Sequence, residues 1–490
     1  MKLKKIFLLL LVVTFLGQFQ VSLAQAEAPY PEYNYSYWGK TVPSPVAYLP
    51  SRIIDGKSLG IGDFKNPEDI YTASDGRIYL LDSGNGRIVI LDQNWRLIKE
   101  IVDFKKEGQV ERLNNPQGIT VADNGDIYVA DTDNRRVIEL TNDGQYVREI
   151  TTPENDVIRE GFPFFPRKVA LDKANRIYVI GKDVFDGLIA FSPEGKFENF
   201  MGTNRVRFNP ADYFWKSVST KAQREKMALF VPTEFTNMDM DQDGFIYATN
   251  ADANSRTPIK RLNPTGVDVL RREGYDNPRG DLEFAFTGNK KGPSIMTDIK
   301  VGFHGMYHAL DSNRGRIFTY DEDGKLLYIT GQIGVQRGTF KIPTAIEISG
   351  DRLMVLDKGA NQLTVFEPTQ FGRTVNEAVK LHSEGDEIAS AEQWRQVLRL
   401  NANYEIAYIG IGKALLRQEK NKEAMEYFKL GMSRKYYSKA FQRYRKEVMK
   451  EQFGTGMTVL VLITAGFFVY KFIIRSARRR REGMHAERGH

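Results

Sequence analysis

The sequence predicts an all-β six-bladed β-propeller, followed by a small α-helical domain and one C-terminal transmembrane helix. Three observations carry this reading. A block of strand and turn residues recurs along residues 51–369 at a period near 50. From Val375 to Met449 the apolar residues recur at helical spacing instead. Gly454 to Tyr470 then runs without a single charge.

The elements follow in chain order. Met1 to Lys5 is basic, Ile6 to Leu16 is apolar, and Ala24-Gln25-Ala26 places small residues two apart. That order is expected of a secretory signal peptide over residues 1–26, since about eleven apolar residues fall short of the roughly 20 that a span needs. Residues 27–50 carry Tyr30, Tyr33, Tyr35, Tyr37 and Trp38 between Pro29 and Pro50. They are expected to form an extended strap lying on the propeller.

The repeats decide the central fold. Asn66-Pro67-Glu68-Asp69-Ile70 leads through Asp75-Gly76-Arg77-Ile78-Tyr79 to Asp82-Ser83-Gly84-Asn85-Gly86-Arg87. Asn115-Pro116-Gln117-Gly118-Ile119 leads through Asn124-Gly125-Asp126-Ile127-Tyr128-Val129 to Asp131-Thr132-Asp133-Asn134-Arg135-Arg136. Weaker copies hold Tyr178, Tyr247 and Tyr307 at the same place, and a sixth holds Leu353-Met354-Val355. The Asp-Gly and Asn-Gly pairs supply the positive φ angles of tight hairpins. Consecutive hairpins closed into a ring leave few exposed edges, and Ser51 to Ile54 is placed to close that ring against the last copy. Thr203 to Glu234, with a helical pattern over Ser219 to Leu229, and Asp276 to Pro293 read as loop insertions and as specificity elements.

The Pro-x-Gly-Ile, Gly-x-Ile-Tyr-Val and Asp-x-x-Asn-x-Arg blocks resemble the NHL repeat, most clearly in the first two copies. Residues 373–450 resemble a short tetratricopeptide module. Tyr408, Ile411, Gly412, Leu415, Ala424 and Phe428 match its large and small positions, and Ala378 and Trp394 stand 34 residues before Gly412 and Phe428. Such modules bind protein partners, and Trp394, Tyr404 and Tyr408 are the candidate contacts.

Residues 454–474 reach roughly 31 Å as a helix, the thickness of a hydrocarbon core. Lys471 sits where its stem can snorkel. Arg475 and Arg478 to Arg481 mark residues 475–490 as a cytoplasmic tail by the positive-inside rule. The expected location is a bacterial plasma membrane, single-pass, with the N-terminal part outside the cell.

Composition removes several functions. The chain has no cysteine, which excludes disulfides, thiol chemistry and cysteine-bound metals. The formal charge of +7 owes much to the two ends, so it points to a membrane and not to nucleic acid.

No catalytic constellation emerges. His304 and His308 lie in a strand-like copy, where four residues span roughly 13 Å, too far to share a metal. Gly56-Lys57-Ser58-Leu59-Gly60 matches the nucleophile-elbow pattern but lacks a following helix. Asp239 to Gly244 opens like a calcium loop, but Asn250 stands where a bidentate Glu is needed. The channel is expected to be lined where each innermost strand begins, by Glu68, Gln117, Arg167 with Lys168, Asp298 and Thr344. The adjacent cations disfavour a metal, and the mixed charge suits a polar small molecule, a glycan or a peptide. The expected function is therefore a non-enzymatic binding or scaffold protein without cofactor, acting on a protein partner at the membrane. The alternatives are the metal-dependent lactonase chemistry that some similar propellers carry, or a ligand sensor for a membrane complex.

Overall fold

The computed structural model describes residues 28–153, 158, 161–203, 234–252, 255–282 and 293–486. The signal peptide expected over residues 1–26 and the helix expected over 219–229 lie outside the described residues.

A short hairpin, β1 (Tyr33–Tyr35) and β2 (Thr41–Pro43), precedes the ring. Blade one is β4 (Asp69–Thr72), β5 (Ile78–Asp82), β6 (Arg87–Leu91) and β7 (Leu97–Ile101), which follow β3 (Tyr48–Asp55). A second hairpin, β8 (Phe104–Lys106) with β9 (Gln109–Glu111), leads to blade two. That blade holds β10 (Gly118–Val121), β11 (Ile127–Asp131), β12 (Arg136–Leu140) and β13 (Tyr146–Ile150). Blade three is β14 (Pro166–Leu171), β15 (Ile177–Gly181), β16 (Leu188–Phe191) and β17 (Phe197–Met201). Blade four, among the described residues, is β18 (Phe235–Met240), β19 (Ile246–Asn250) and β20 (Ile259–Leu262). Blade five is β21 (Met296–Val301), β22 (Tyr307–Asp311), β23 (Arg316–Tyr320) and β24 (Leu326–Thr330). Blade six combines β25 (Pro343–Ser349), β26 (Arg352–Asp357) and β27 (Gln362–Pro368) with β3, so the first long strand closes the ring. The closing strand starts at Tyr48, three residues before the sequence pattern suggests.

The repeated Asp-x-x-Asn-x-Arg block proves to be a blade-to-loop clamp. Asp82 and Asp131 are fully buried and accept from the backbone of Lys65 and Asn114, each at 2.7 Å. Their second oxygens take Arg87 Nε at 2.7 Å and Arg136 Nε at 2.9 Å. Each Arg then reaches an outer-strand carboxylate, Glu100 or Glu149. Between neighbouring blades lie apolar clusters, such as Tyr79, Ile88, Ile127 and Val129 between blades one and two. Burying each such side chain is worth roughly 1.5–3 kcal/mol.

Among the described residues blade four has no fourth strand, and an open edge invites association. Here the edge is blunted. Asp268 accepts from the backbone of Arg261 at 3.2 Å, while Arg272 pairs with Asp268 at 2.6 Å and donates to Ile259 O at 3.2 Å.

The segment before the ring packs against blade five. Asn34 Nδ2 donates to Leu327 O at 2.9 Å, and Tyr35 and Tyr33 both donate to Asp281, which also pairs with Arg314. Asp281 belongs to the insertion expected over Asp276 to Pro293, so its first part is anchored; residues 283–292 lie outside the described residues.

Glu32 is buried here, accepting from Ala47 N at 2.8 Å and Thr330 Oγ1 at 3.2 Å. Burial pushes its carboxyl up to about 8. A carboxyl raised on folding holds a proton that the unfolded chain releases from about pH 4.3 upward. Its contribution is therefore complete below that pH and is lost as pH rises through about 8. Glu32→Gln copies the neutral form. The variant's melting temperature minus the parent's should be near zero at acidic pH and grow positive toward pH 9, equivalent to on the order of 5 kcal/mol. A difference that stays constant with pH would show that Glu32 is not the titrating group.

After β27 come α1 (Gln370–Ser383), α2 (Glu387–Leu400), α3 (Glu405–Arg417), α4 (Asn421–Leu430) and α5 (Arg434–Ala486). The helix α1 belongs to the propeller unit, whereas α2 to α5 form a second compact unit. Thr369 caps α1 through Gly372 N at 3.2 Å, and Asp386 caps α2 through Ala389 N at 3.0 Å. In the second unit Gly412 lies where a Cβ would come 2.6 Å from the Phe428 ring, so α3 and α4 touch backbone to ring. The last helix runs 53 residues without a break. Its apolar part is fully exposed, with a mean hydropathy of 2.2, long and apolar enough to cross a membrane.

Candidate functional site

The innermost strands deliver polar side chains to the channel, but not the ones nearest their first residues. Four of these strands carry a bulge near the start, between Pro166 and Lys168, Phe235 and Asn237, Met296 and Asp298, and Pro343 and Ala345. An extra residue in a bulge shifts the alternation that follows. Arg167 therefore turns away from Lys168. It donates to Gln117 Oε1 at 3.1 Å and pairs with Glu234 at 3.4 Å, whereas Lys168 lies 2.8 Å from Asp69. The two cations expected side by side in the ring are thus separated by the bulge. Glu68 pairs with Lys358 at 2.9 Å, and Thr344, at the bulge, bonds Pro67 O and Leu356 O. Of the expected residues, Lys168 and Asp298 line the central cavity; Glu68, Gln117, Arg167 and Thr344 do not.

That cavity has a volume of about 490 Å³. Its wall also holds Asp69, Tyr71, Asn237, Asp239, Lys300 and Glu347, which the sequence reading missed. The signal for them was present: Asp69-x-Tyr71, Asn237-x-Asp239 and Asp298-x-Lys300 are polar pairs two apart, the spacing of one strand face.

The carboxylates bind blade to blade. Asp69 accepts from Ile119 N at 2.9 Å, Asp239 from Val301 N at 2.7 Å, Asp298 from Ile346 N at 2.6 Å, and Glu347 from Thr72 N at 3.2 Å. Each bond joins one blade to the next. Asp298 also takes Asn237 Nδ2 and its neighbour Ile299 N. Lys300 Nζ lies 3.2 Å from Glu347 and 3.4 Å from Asp239, and 5.2 Å from the Tyr71 ring centre. The Lys168 contact with Asp69 is close in distance but poorly aligned for a hydrogen bond.

Burial sets the charge states. It pushes Asp298 up to about 7, with Lys168 opposing and Asp69 assisting, and it pushes Glu347 up to about 7 against the pull of Lys300. Burial works against the Lys300 ammonium, but Asp239 and Glu347 outweigh it and raise its pKa. The wall thus presents acceptors, two ammonium groups and a phenol, enough to orient a polar molecule. Among the described residues no group of three His, Asp or Glu is arranged to hold a metal ion.

The remaining motifs resolve into structure. His308 is buried, its ring bonded to Thr319 Oγ1 at 2.8 Å, and burial pushes it down to about 3. His304 stands in the preceding turn. Asp241, in the calcium-like stretch, accepts from Asp243 N and Phe245 N and pairs with Arg261 at 2.6 Å. Ser58 of the elbow-like stretch bonds Asp55 O within a surface turn.

In the helical unit, Trp394 and Tyr404 are 4% and 3% exposed and stack on each other at 6.1 Å. They are core residues, and a partner cannot reach them without unfolding the unit. Tyr408 is half-buried, with its hydroxyl on Ala402 O at 2.9 Å.

The NHL repeat family matches residues 64–91 and 113–139, which fall in the first two blades without their outer strands. No curated protein matches the chain. Solved structures similar to it include a streptogramin B lyase (16% identity, TM-score 0.39), covering 71% of this chain and 96% of the other. A virginiamycin B lyase from Staphylococcus aureus is similar at 13% identity and TM-score 0.40, covering 64% and 98%. A gluconolactonase from Xanthomonas campestris is similar at 11% identity and TM-score 0.39, covering 67% and 99%. This chain is therefore a six-bladed propeller that carries NHL repeats in its first two blades.

Proposed function

We propose that this protein is a single-pass membrane protein of a bacterial surface. Its propeller and a tetratricopeptide-like helical unit act outside the cell as a non-enzymatic binding scaffold. The observation that carries this reading is the wholly exposed apolar stretch of α5, which continues without a break from the helical unit. Exposing so many apolar side chains to water is costly, and a hydrocarbon core removes that cost. Both flanks of the span are basic, so the orientation rests on the N-terminal export pattern rather than on charge asymmetry.

The channel supports binding over catalysis. Its carboxylates are engaged by backbone N–H groups or lysines, and a polar small molecule fits the mixed wall. Gly412 against Phe428 and the 34-residue spacing support the tetratricopeptide likeness.

The absence of cysteine makes the test clean. Single-cysteine variants at Glu107, in an exposed turn, and at Ser476, beyond the span, are labelled with a membrane-impermeant maleimide. In intact cells Glu107→Cys should label and Ser476→Cys should not until the membrane is opened. Labelling of Ser476→Cys alone in intact cells would reverse the topology.

A further inference from the structure

Each of the six innermost strands places one side chain in a common tier of the channel: Tyr71, Thr120, Ala170, Asp239, Lys300 and Glu347, in blade order. Bonds between blades fix their level. Asp239 takes Val301 N, next to Lys300, and Glu347 takes Thr72 N, next to Tyr71. The tier has two halves. Blades four to six supply a carboxylate, an ammonium and a carboxyl, whereas blades one to three supply a phenol ring, a hydroxyl and a methyl group. A second cavity of about 660 Å³, among the hairpin turns at Ser74 and Gly350, also reaches Lys300 and Glu347, and the exposed Phe303 stands at its rim. It gives the tier a route to solvent.

We infer that this tier is a binding site for an uncharged hexose, held by its hydroxyl groups on Asp239 and Lys300 and by its C–H face on Tyr71. The inference deepens the scaffold reading and rests on it, since it takes the channel to bind its ligand and not to convert it.

Charge and geometry select this class. Seven of the residues lining the cavity are Asp or Glu and three are Lys, so an anion meets net repulsion. A cation finds its place taken, because Lys300 Nζ already stands 3.2 Å from Glu347, 3.4 Å from Asp239 and 5.2 Å from the Tyr71 ring centre. Burial pushes Glu347 up to about 7, so near neutral pH this half of the tier carries little net charge. What it offers is a donor and an acceptor side by side. One hydroxyl oxygen can accept from the ammonium and donate to the carboxylate at once. An amide, with donor and acceptor on different atoms, cannot. The side chains of Asp239 and Lys300 keep 18% and 17% of their surface open, so a ligand can reach them, while Glu347, at 2%, acts from behind. A hexose also carries the apolar C–H face that the uncharged half accepts. At about 490 Å³ the first cavity falls within the roughly 300–1,000 Å³ of small-molecule sites.

The test is a saturation-transfer NMR titration of the full-length chain in phosphatidylcholine nanodiscs, which bring no sugar of their own. The probes are the methyl glycosides of glucose, galactose and mannose, each with its uronate and its 2-amino counterpart. At least one neutral glycoside should bind, its uronate about tenfold more weakly, and its amino form no more tightly. Lys300→Met should lower the affinity for the neutral form about tenfold or more, the loss of one charge-assisted hydrogen bond. The comparison among probes needs no variant, so it decides the matter even if Lys300→Met does not fold. Binding of none of the neutral glycosides, tighter binding of a uronate or an amino form, or undiminished binding by a folded Lys300→Met protein would overturn the assignment. The same spectra separate the two failures. Conversion of a bound glycoside removes the non-enzymatic reading itself, whereas unchanged glycosides without saturation transfer remove only the hexose site.

Discussion

Replacing Asp298 by alanine is expected to lower the melting temperature of the propeller by on the order of 10 °C, as a loss of about 3–5 kcal/mol does in a domain of this size. Asp298 is 4% exposed and accepts from Ile346 N, Ile299 N and Asn237 Nδ2. The Ile346 bond is the one that matters most, because it ties blade five to blade six across the ring. Alanine leaves that buried N–H without a partner, which alone costs about 1–3 kcal/mol, and it frees Asn237 beside it. Asp298→Asn keeps one acceptor oxygen and should fall between alanine and the parent. Thermal melts of the solubilised full chain, followed by the loss of strand signal in far-UV circular dichroism, read the effect. An alanine variant that melts with the parent would mean that the channel carboxylates do not hold the ring together.

Gly410→Ala should destabilise the helical unit by about 1–3 kcal/mol, although alanine in a helix is ordinarily worth about 1 kcal/mol more than glycine. The sign is decided by Trp394. A Cβ at position 410 would meet the indole Cδ1 and Nε1 at 2.2 Å. The indole cannot yield easily, since it is buried and stacked on Tyr404. The loss should appear in the helical part of the melt and leave the strand signal unchanged. A variant that is more stable than the parent would show that the indole moves aside at little cost.

How much of this was readable beforehand differs between fold and site. The hairpin turns recur with their Asp-Gly and Asn-Gly pairs because every blade needs the same positive φ, as at Gly76, Gly125 and Gly244. A local requirement repeated six times is visible in sequence. The ring closure was visible too, since a strand before the first copy needs a partner. The channel was not, for a reason specific to these strands. Whether residue 297 or 298 faces the axis depends on the bulge between Met296 and Asp298, and a bulge arises from pairing that the local sequence does not announce. The reading placed Arg167 beside Lys168 in the ring, and the bulge between Pro166 and Lys168 leaves only Lys168 on the cavity wall. In the helical unit the difficulty was different. Trp394 and Tyr404 have the composition of a binding surface, and only the close approach of Gly410 turns them into core.

The unbroken backbone of α5 makes the connection between the helical unit and the apolar stretch a matter of phase. No loop intervenes, and the sequence from Arg434 to Ala486 contains no proline to bend it. One residue inserted between Lys450 and Gly454 would therefore swing the unit about 100° around the helix axis while lifting it only about 1.5 Å. Four inserted residues would bring it back to within about 40° of its original bearing, about 6 Å higher. Height and bearing are thus coupled in this protein as on a screw thread, and the direction the unit faces is chosen by a residue count.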